Sequence, residues 1–199
     1  NKYFIKIKFS KINEINVYGL DKNQNLKISK DLEMIKFKNL FFLDKNLIDK
    51  ILKPYNIIEN YFVFKHYPSS ISITLFQTNF LAVTKKKENS FYIGSNGKLI
   101  KKKDDVKNLP QLFGNFEIDE FLILKKIIDN SNFDYLEIKN LFFFKSGRWD
   151  IETNRGIIIK LPIDYSEENL NFVYDLLHYQ DFKDKKLIDI RQKSQVVSE

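Results

Sequence analysis

Hydrophobic patterning changes its grammar near residue 80, and that change limits what the chain can become. Before it, residues 4–10 set Ile5, Ile7 and Phe9 against Lys6, Lys8 and Ser10, and Ile15-Asn16-Val17-Tyr18 alternates again before Gly19. A period of two belongs to a half-buried strand, and a glycine at its exit suits a turn or bulge. Ser29 is placed to cap a short helix, with Asp31 and Glu33 in its first turn. Asp44 caps a better one, in which Leu47, Ile48, Ile51 and Leu52 share a face and Pro54 ends the run. Residues 61–65 and 70–76 follow as two strands joined at Tyr67-Pro68-Ser69. The predicted order is strand, helix, helix, strand, strand, a small α+β unit.

After residue 80, hairpin signals take over. Residues 91–93 and 98–100 flank Ser95-Asn96-Gly97, and Asn-Gly between apolar runs favours a tight hairpin turn. Leu109-Pro110 opens a turn, and residues 117–129 form an amphipathic helix with Phe121, Leu124 and Ile128 inward. Strands are predicted at 135–138, 141–144, 149–153 and 156–161, the last two joined by Asn154-Arg155-Gly156. Ser166 caps a helix carrying Leu170, Val173 and Leu177, and residues 187–190 and 192–197 close the chain as a pair of short strands. This describes a mainly antiparallel β domain with flanking helices, without the strand–helix alternation of a dinucleotide-binding fold.

Chemistry is scarce along the chain. There is no cysteine, and the two histidines, His66 and His178, stand far apart in sequence, so neither a disulfide scaffold nor a metal site is expected. No nucleophile elbow, phosphate-binding loop or dinucleotide fingerprint occurs, and six glycines leave little material for a phosphate cradle. No cofactor, catalytic residue or small-molecule substrate is therefore expected. The uninterrupted apolar runs, such as 40–43 and 141–144, are a handful long, against roughly twenty residues for a membrane-spanning helix. The first residue is Asn1 rather than Met, which points to a missing N-terminal piece.

Basic residues outnumber acidic ones by 33 to 26, but the excess is lysine in a sequence with one alanine, Ala82, a composition that follows AT-rich codons. Residues 1–80 hold 13 basic and 7 acidic groups, and residues 81–199 hold 20 and 19. Arginine, whose planar fork reads phosphates and bases, occurs only at Arg148, Arg155 and Arg191, and the lysine runs lack interleaved aromatics. Nucleic acid is not the expected partner. Arg155 sits in a hairpin turn, whereas Arg148, which stands beside the single Trp149, and Arg191 either pair with Asp150 and Asp189 or flank a partner-binding edge.

Several short motifs, in order, resemble the FtsQ/DivIB family of bacterial cell-division proteins. Ile15-Asn16-Val17-Tyr18-Gly19-Leu20, Ser29, the helix at 44–52 and Lys65-His66-Tyr67-Pro68 are similar to that family's POTRA domain. Ile93-Gly94-Ser95-Asn96-Gly97, Leu109-Pro110-Gln111-Leu112-Phe113-Gly114, Arg148-Trp149-Asp150-Ile151, Asn154-Arg155-Gly156, Leu161-Pro162 and Ile188-Asp189-Ile190-Arg191 are similar to its β domain. The resemblance implies a membrane-proximal lead-in at 1–11, a POTRA domain at 12–80 and a β domain at 81–199. It implies a non-enzymatic divisome scaffold, with this segment in the periplasm and a single transmembrane helix, absent from this chain, holding it to the inner membrane at the division septum. FtsB and FtsL are the implied partners. A terminal strand is an edge on which a partner strand can pair. The implied contact residues are Arg148, Trp149, Arg191, Gln192, Ser194, Gln195, Val196 and Val197. The alternatives are another POTRA-containing assembly or secretion component, or a lysine-rich nucleic-acid-binding domain.

Overall fold

Among the described residues, the apolar faces of the helices and strands are buried on two sheets. The computed structural model describes residues 11–102, 106–179, 185–192 and 195–198. The expected strand at 4–10, with most of the lead-in, lies outside the described residues. The chain divides into two units, Asn1–Asn79 and Phe80–Glu199.

In the first unit the order is β1 (Glu14–Tyr18), α1 (Lys22–Leu32), α2 (Lys45–Leu52), β2 (Ile58–His66) and β3 (Ser70–Gln77). The sheet order is β1-β3-β2, with β1 parallel and β2 antiparallel to β3. Ile71, Ile73 and Leu75 on the central strand are no more than 1% exposed and pack with Ile28 and Leu32 of α1 and Ile48 and Leu52 of α2. Burying an aliphatic side chain of this size stabilises by about 1.5–3 kcal/mol. Asp44 caps α2 as expected, its carboxylate accepting the Asn46 amide at 2.9 Å. Ser29 does not begin a helix: it lies inside α1, which is capped eight residues earlier by Asp21, whose side chain accepts the Gln24 amide at 2.9 Å.

The second unit contains β4 (Phe80–Lys86), β5 (Asn89–Gly94), β6 (Leu99–Lys101), β7 (Gln111–Phe113), α3 (Ile118–Asn130), β8 (Ile138–Phe143), β9 (Trp149–Thr153), β10 (Ile158–Lys160), α4 (Glu167–His178), β11 (Leu187–Gln192) and β12 (Gln195–Ser198). They form one nine-stranded sheet in the order β12-β11-β10-β9-β8-β7-β4-β5-β6. Five neighbouring pairs are antiparallel and three are parallel. Both helices are crossovers between parallel neighbours, α3 from β7 to β8 and α4 from β10 to β11. Phe121, Leu124 and Ile128 of α3 and Leu170 and Val173 of α4 share a core with Leu141, Trp149, Ile151, Ile159 and Ile188 of the sheet. The fold is α+β throughout.

Two expected strands are corrected. Residues 135–138 and 141–144 are not separate strands: Tyr135–Glu137 is a 3-10 turn, held by Asp134 accepting the Leu136 amide at 2.8 Å, and β8 runs on from Ile138. Gln192 belongs to β11 rather than to the last strand.

Candidate functional site

Alternation decides which way each predicted contact residue faces. On β9, Trp149, Ile151 and Thr153 turn into the core, so Arg148 and Asp150 take the opposite face. Trp149 is completely buried, 5.5 Å from the Phe116 ring centroid and 4.8 Å from that of Phe143. It therefore offers no surface to a partner, which corrects the expectation placed on it. The signal was present in sequence, since Trp149 shares the parity of Ile151.

The opposite face carries one continuous row. Strand register sets Phe113, Phe142, Asp150, Lys160, Asp189 and Val197 side by side from β7 to β12. Phe113 and Phe142 stack at 5.2 Å. Beyond them the charges alternate, carboxylate, ammonium, carboxylate, each in register with the next, as cross-strand pairing favours. Arg148 and Arg191 flank the row: Arg148 Nε donates to Asp150 at 3.0 Å, and the Arg191 guanidinium grips Asp189 with contacts of 2.5–2.9 Å. Burial raises the Asp150 carboxyl above its ordinary value, against the pull of Arg148, Lys160 and Arg191. Hydrogen bonds from Arg191 lower that of Asp189.

The two arginines are not equivalent. Arg148 lies 4.5 Å over the Phe144 ring with its side chain 19% exposed, so it is mostly consumed within the fold. The Arg191 side chain is 44% exposed and, with Asp189, Gln192 and Val197, lines a recess of about 350 Å³. Arg155 is exposed in its turn, 3.7 Å from Glu137. Lys160 escaped the sequence reading: alternation turns it outward, but only register sets it between two aspartates.

β12 is the outermost strand of the sheet, antiparallel to β11, with Asp189 opposite Val197 and Gln192 opposite Gln195. The register shifts between Asp189 and Gln192, and such an irregularity is common at sheet edges. Val197 is 52% exposed. Ser194, one of the expected contact residues, lies outside the described residues. Among the described residues no group of three or more potential metal ligands is gathered, and no helix is long and apolar enough to cross a membrane.

The C-terminal model of the cell division protein FtsQ/DivIB family matches residues 82–191, more than half of the chain. That match includes Arg148 and Arg191 and stops short of β12. No curated protein matches the sequence. Among solved structures, the chain is similar to the major extracytoplasmic domain of the trans isomer of the bacterial cell division protein DivIB from Geobacillus stearothermophilus. The identity is 13% and the TM-score 0.36, over 53% of this chain and 90% of that one.

Proposed function

The chain belongs to the FtsQ/DivIB family of cell-division proteins, and from that premise we propose that it is a non-enzymatic divisome scaffold that captures FtsB, accompanied by FtsL, through strand addition at β12. The observation that carries this reading is the place of β12 at the end of the sheet, beside the exposed Arg191 and Val197. An edge strand presents unpaired N–H and C=O groups, from which an added strand takes affinity, while alternate side chains supply specificity. Arg191, Gln192, Gln195, Val196 and Val197 form the contact segment, with Ser194 between them. Arg191 meets an acidic side chain of the partner, and Arg148 supports the row from within.

In the same reading, residues 12–80 are a POTRA domain that contributes to recruitment at the septum, and residues 81–199 are the partner-binding β domain. The segment lies in the periplasm, tethered to the inner membrane by a single helix preceding it. The strand–helix–helix–strand–strand order of the first unit supports the POTRA assignment.

The test is capture of FtsB by proline variants of β12. Adjacent residues in a strand aim their amides to opposite sides, so Val196→Pro and Val197→Pro remove donors from opposite edges. One of them should abolish capture with little change in stability, and the other should also loosen β12 from β11. Undiminished capture by both variants would defeat strand addition at this edge.

A further inference from the structure

One end of the first unit gathers exposed rings that its core does not require. Phe37, Phe41 and Phe42 are 70%, 61% and 69% exposed, and Tyr67 is 65% exposed. Three chain segments meet there. Ile12 N–H donates to the Lys38 carbonyl at 3.0 Å and Phe37 N–H to the Ile12 carbonyl at 2.9 Å. Asn13 N–H donates to the Ser69 carbonyl at 2.8 Å, and Lys65 Nζ to the Phe41 carbonyl at 3.1 Å. The loop at 36–42, residues 11–13 and the β2–β3 turn are thereby tied into one surface.

The rings stand on a fixed frame. Ile35 and Leu40 are buried on either side of Phe37, so the loop is anchored at both ends. The Asn39 side-chain oxygen accepts the Phe41 and Phe42 amides at 2.9 and 3.4 Å, turning the backbone so that both rings leave the core. Those rings meet edge to face at 5.2 Å. Phe37 holds φ at +65°, a conformation that bulky side chains rarely adopt, with its ring in water. Packing does not account for an aromatic residue kept in that state.

Lysines predominate around the rings. Lys11, which bridges to Asn39, stands here with Lys36, Lys38 and Lys65. The neighbouring carboxylates are engaged: Glu33 by Lys36 at 2.9 Å and Glu14 by the Asn16 amide at 2.9 Å. Aromatic rings on loop tips among lysines match a bilayer interface, where rings enter the headgroup boundary and ammonium groups meet anionic phosphates.

We propose that this end of the first unit docks on an anionic lipid bilayer, with Phe37, Phe41 and Phe42 entering the headgroup region and Lys11, Lys38 and Lys65 meeting its phosphates. The inference is independent of partner capture at β12.

Co-sedimentation of the 199-residue chain with phosphatidylglycerol–phosphatidylethanolamine vesicles, against phosphatidylcholine vesicles, tests it. Binding should favour the anionic vesicles by about tenfold or more and weaken with salt. The double variant Phe41→Ser/Phe42→Ser should lower the partition coefficient by about tenfold, with an unchanged thermal melt as evidence of folding. A Phe42→Trp variant gives a second readout: because Trp149 is fully buried, a blue shift on adding vesicles reports residue 42 leaving water. The proposal fails if the chain ignores anionic vesicles, or if the double serine variant binds as tightly as the parent, leaving a purely electrostatic attraction. It also fails if bound Phe42→Trp shows no shift, or if the serine variant keeps vesicle binding but loses a protein partner, which would make the rings a protein-docking site.

Discussion

Asp150 of β9 and Asp189 of β11 stand on either side of Lys160, each directly in register with it, yet their carboxyl groups are pushed in opposite directions. Both have an arginine two residues away in sequence, Arg148 just before β9 and Arg191 within β11. Burial dominates at Asp150, and hydrogen bonds from Arg191 dominate at Asp189. The charged part of the row thus has a buried, structural side at Arg148 and Asp150 and an accessible side at Arg191 and Val197, next to the sheet edge.

That opposition sets a pH dependence. A carboxyl raised in the folded state favours folding below its unfolded pKa and loses that contribution as pH rises through the folded value. Asp150→Asn should therefore gain stability relative to the parent as pH climbs from about 4. For Asp189 the sign reverses: its contribution is present above about pH 4 and fades as pH falls through the depressed folded value. Asp189→Asn should then approach the parent's stability in acid. Urea denaturation of both variants across pH 3–7 checks the two signs, a range chosen to bracket roughly the carboxylate titration.

Removing Arg148 alone strands Asp150, whose side chain is 6% exposed. Arg148→Ala should cost about 3 kcal/mol, at the low end for a buried charge left without its partner, because Lys160 still stands opposite. The double variant Arg148→Met/Asp150→Leu should recover most of that loss. Chemical denaturation of the single and double variants decides the matter, and a fully additive loss would contradict it.

Trp149 packs and does not dock. Trp149→Ala should destabilise the second unit by about 3–5 kcal/mol. On the proposed strand addition at β12, Trp149→Phe should leave capture of FtsB by the folded fraction undiminished. A large loss of capture in a stably folded Trp149→Phe protein would return this residue to the contact surface.

Gly114 holds φ at +107°, and a Cβ there would lie 2.2 Å from the Phe143 carbonyl oxygen on the neighbouring strand. Gly114→Ala should cost about 4 kcal/mol, since neither backbone can give way. Gly147, at φ +81° with open space where its Cβ would go, serves as control, and Gly147→Ala should cost about 1 kcal/mol. Thermal melts of the two variants compare them directly.

What escaped the sequence was mostly what lacked a local signal. β4 ends in Lys85 and Lys86, which look like a solvated run, and its turn to β5 uses Lys87 at φ +56° where a glycine or asparagine would have announced a hairpin. β7 is three residues long and is held by parallel partners on both sides, β4 and β8, so no periodicity marks it. Ser29 is a good cap by type, but Asp21 stands nearer the end of β1 and takes the role first.

The sequence by itself determined what interactions spanning a few residues can determine. The caps at Asp44 and Ser166, the inward faces of α2 and α3, and the tight turns at Asn96-Gly97 and Asn154-Arg155-Gly156 all depend on neighbours within one or two turns of chain. Strand register and strand order belong to the tertiary structure, because they are chosen by burial summed over whole faces and by which distant segments can close on one another. Register set Lys160 between two aspartates, and tertiary packing chose Phe116 and Phe143 as the rings against the inward Trp149. Order left β12 at the rim, and long-range bonds brought Phe37, Phe41, Phe42 and Tyr67 to one end of the first unit.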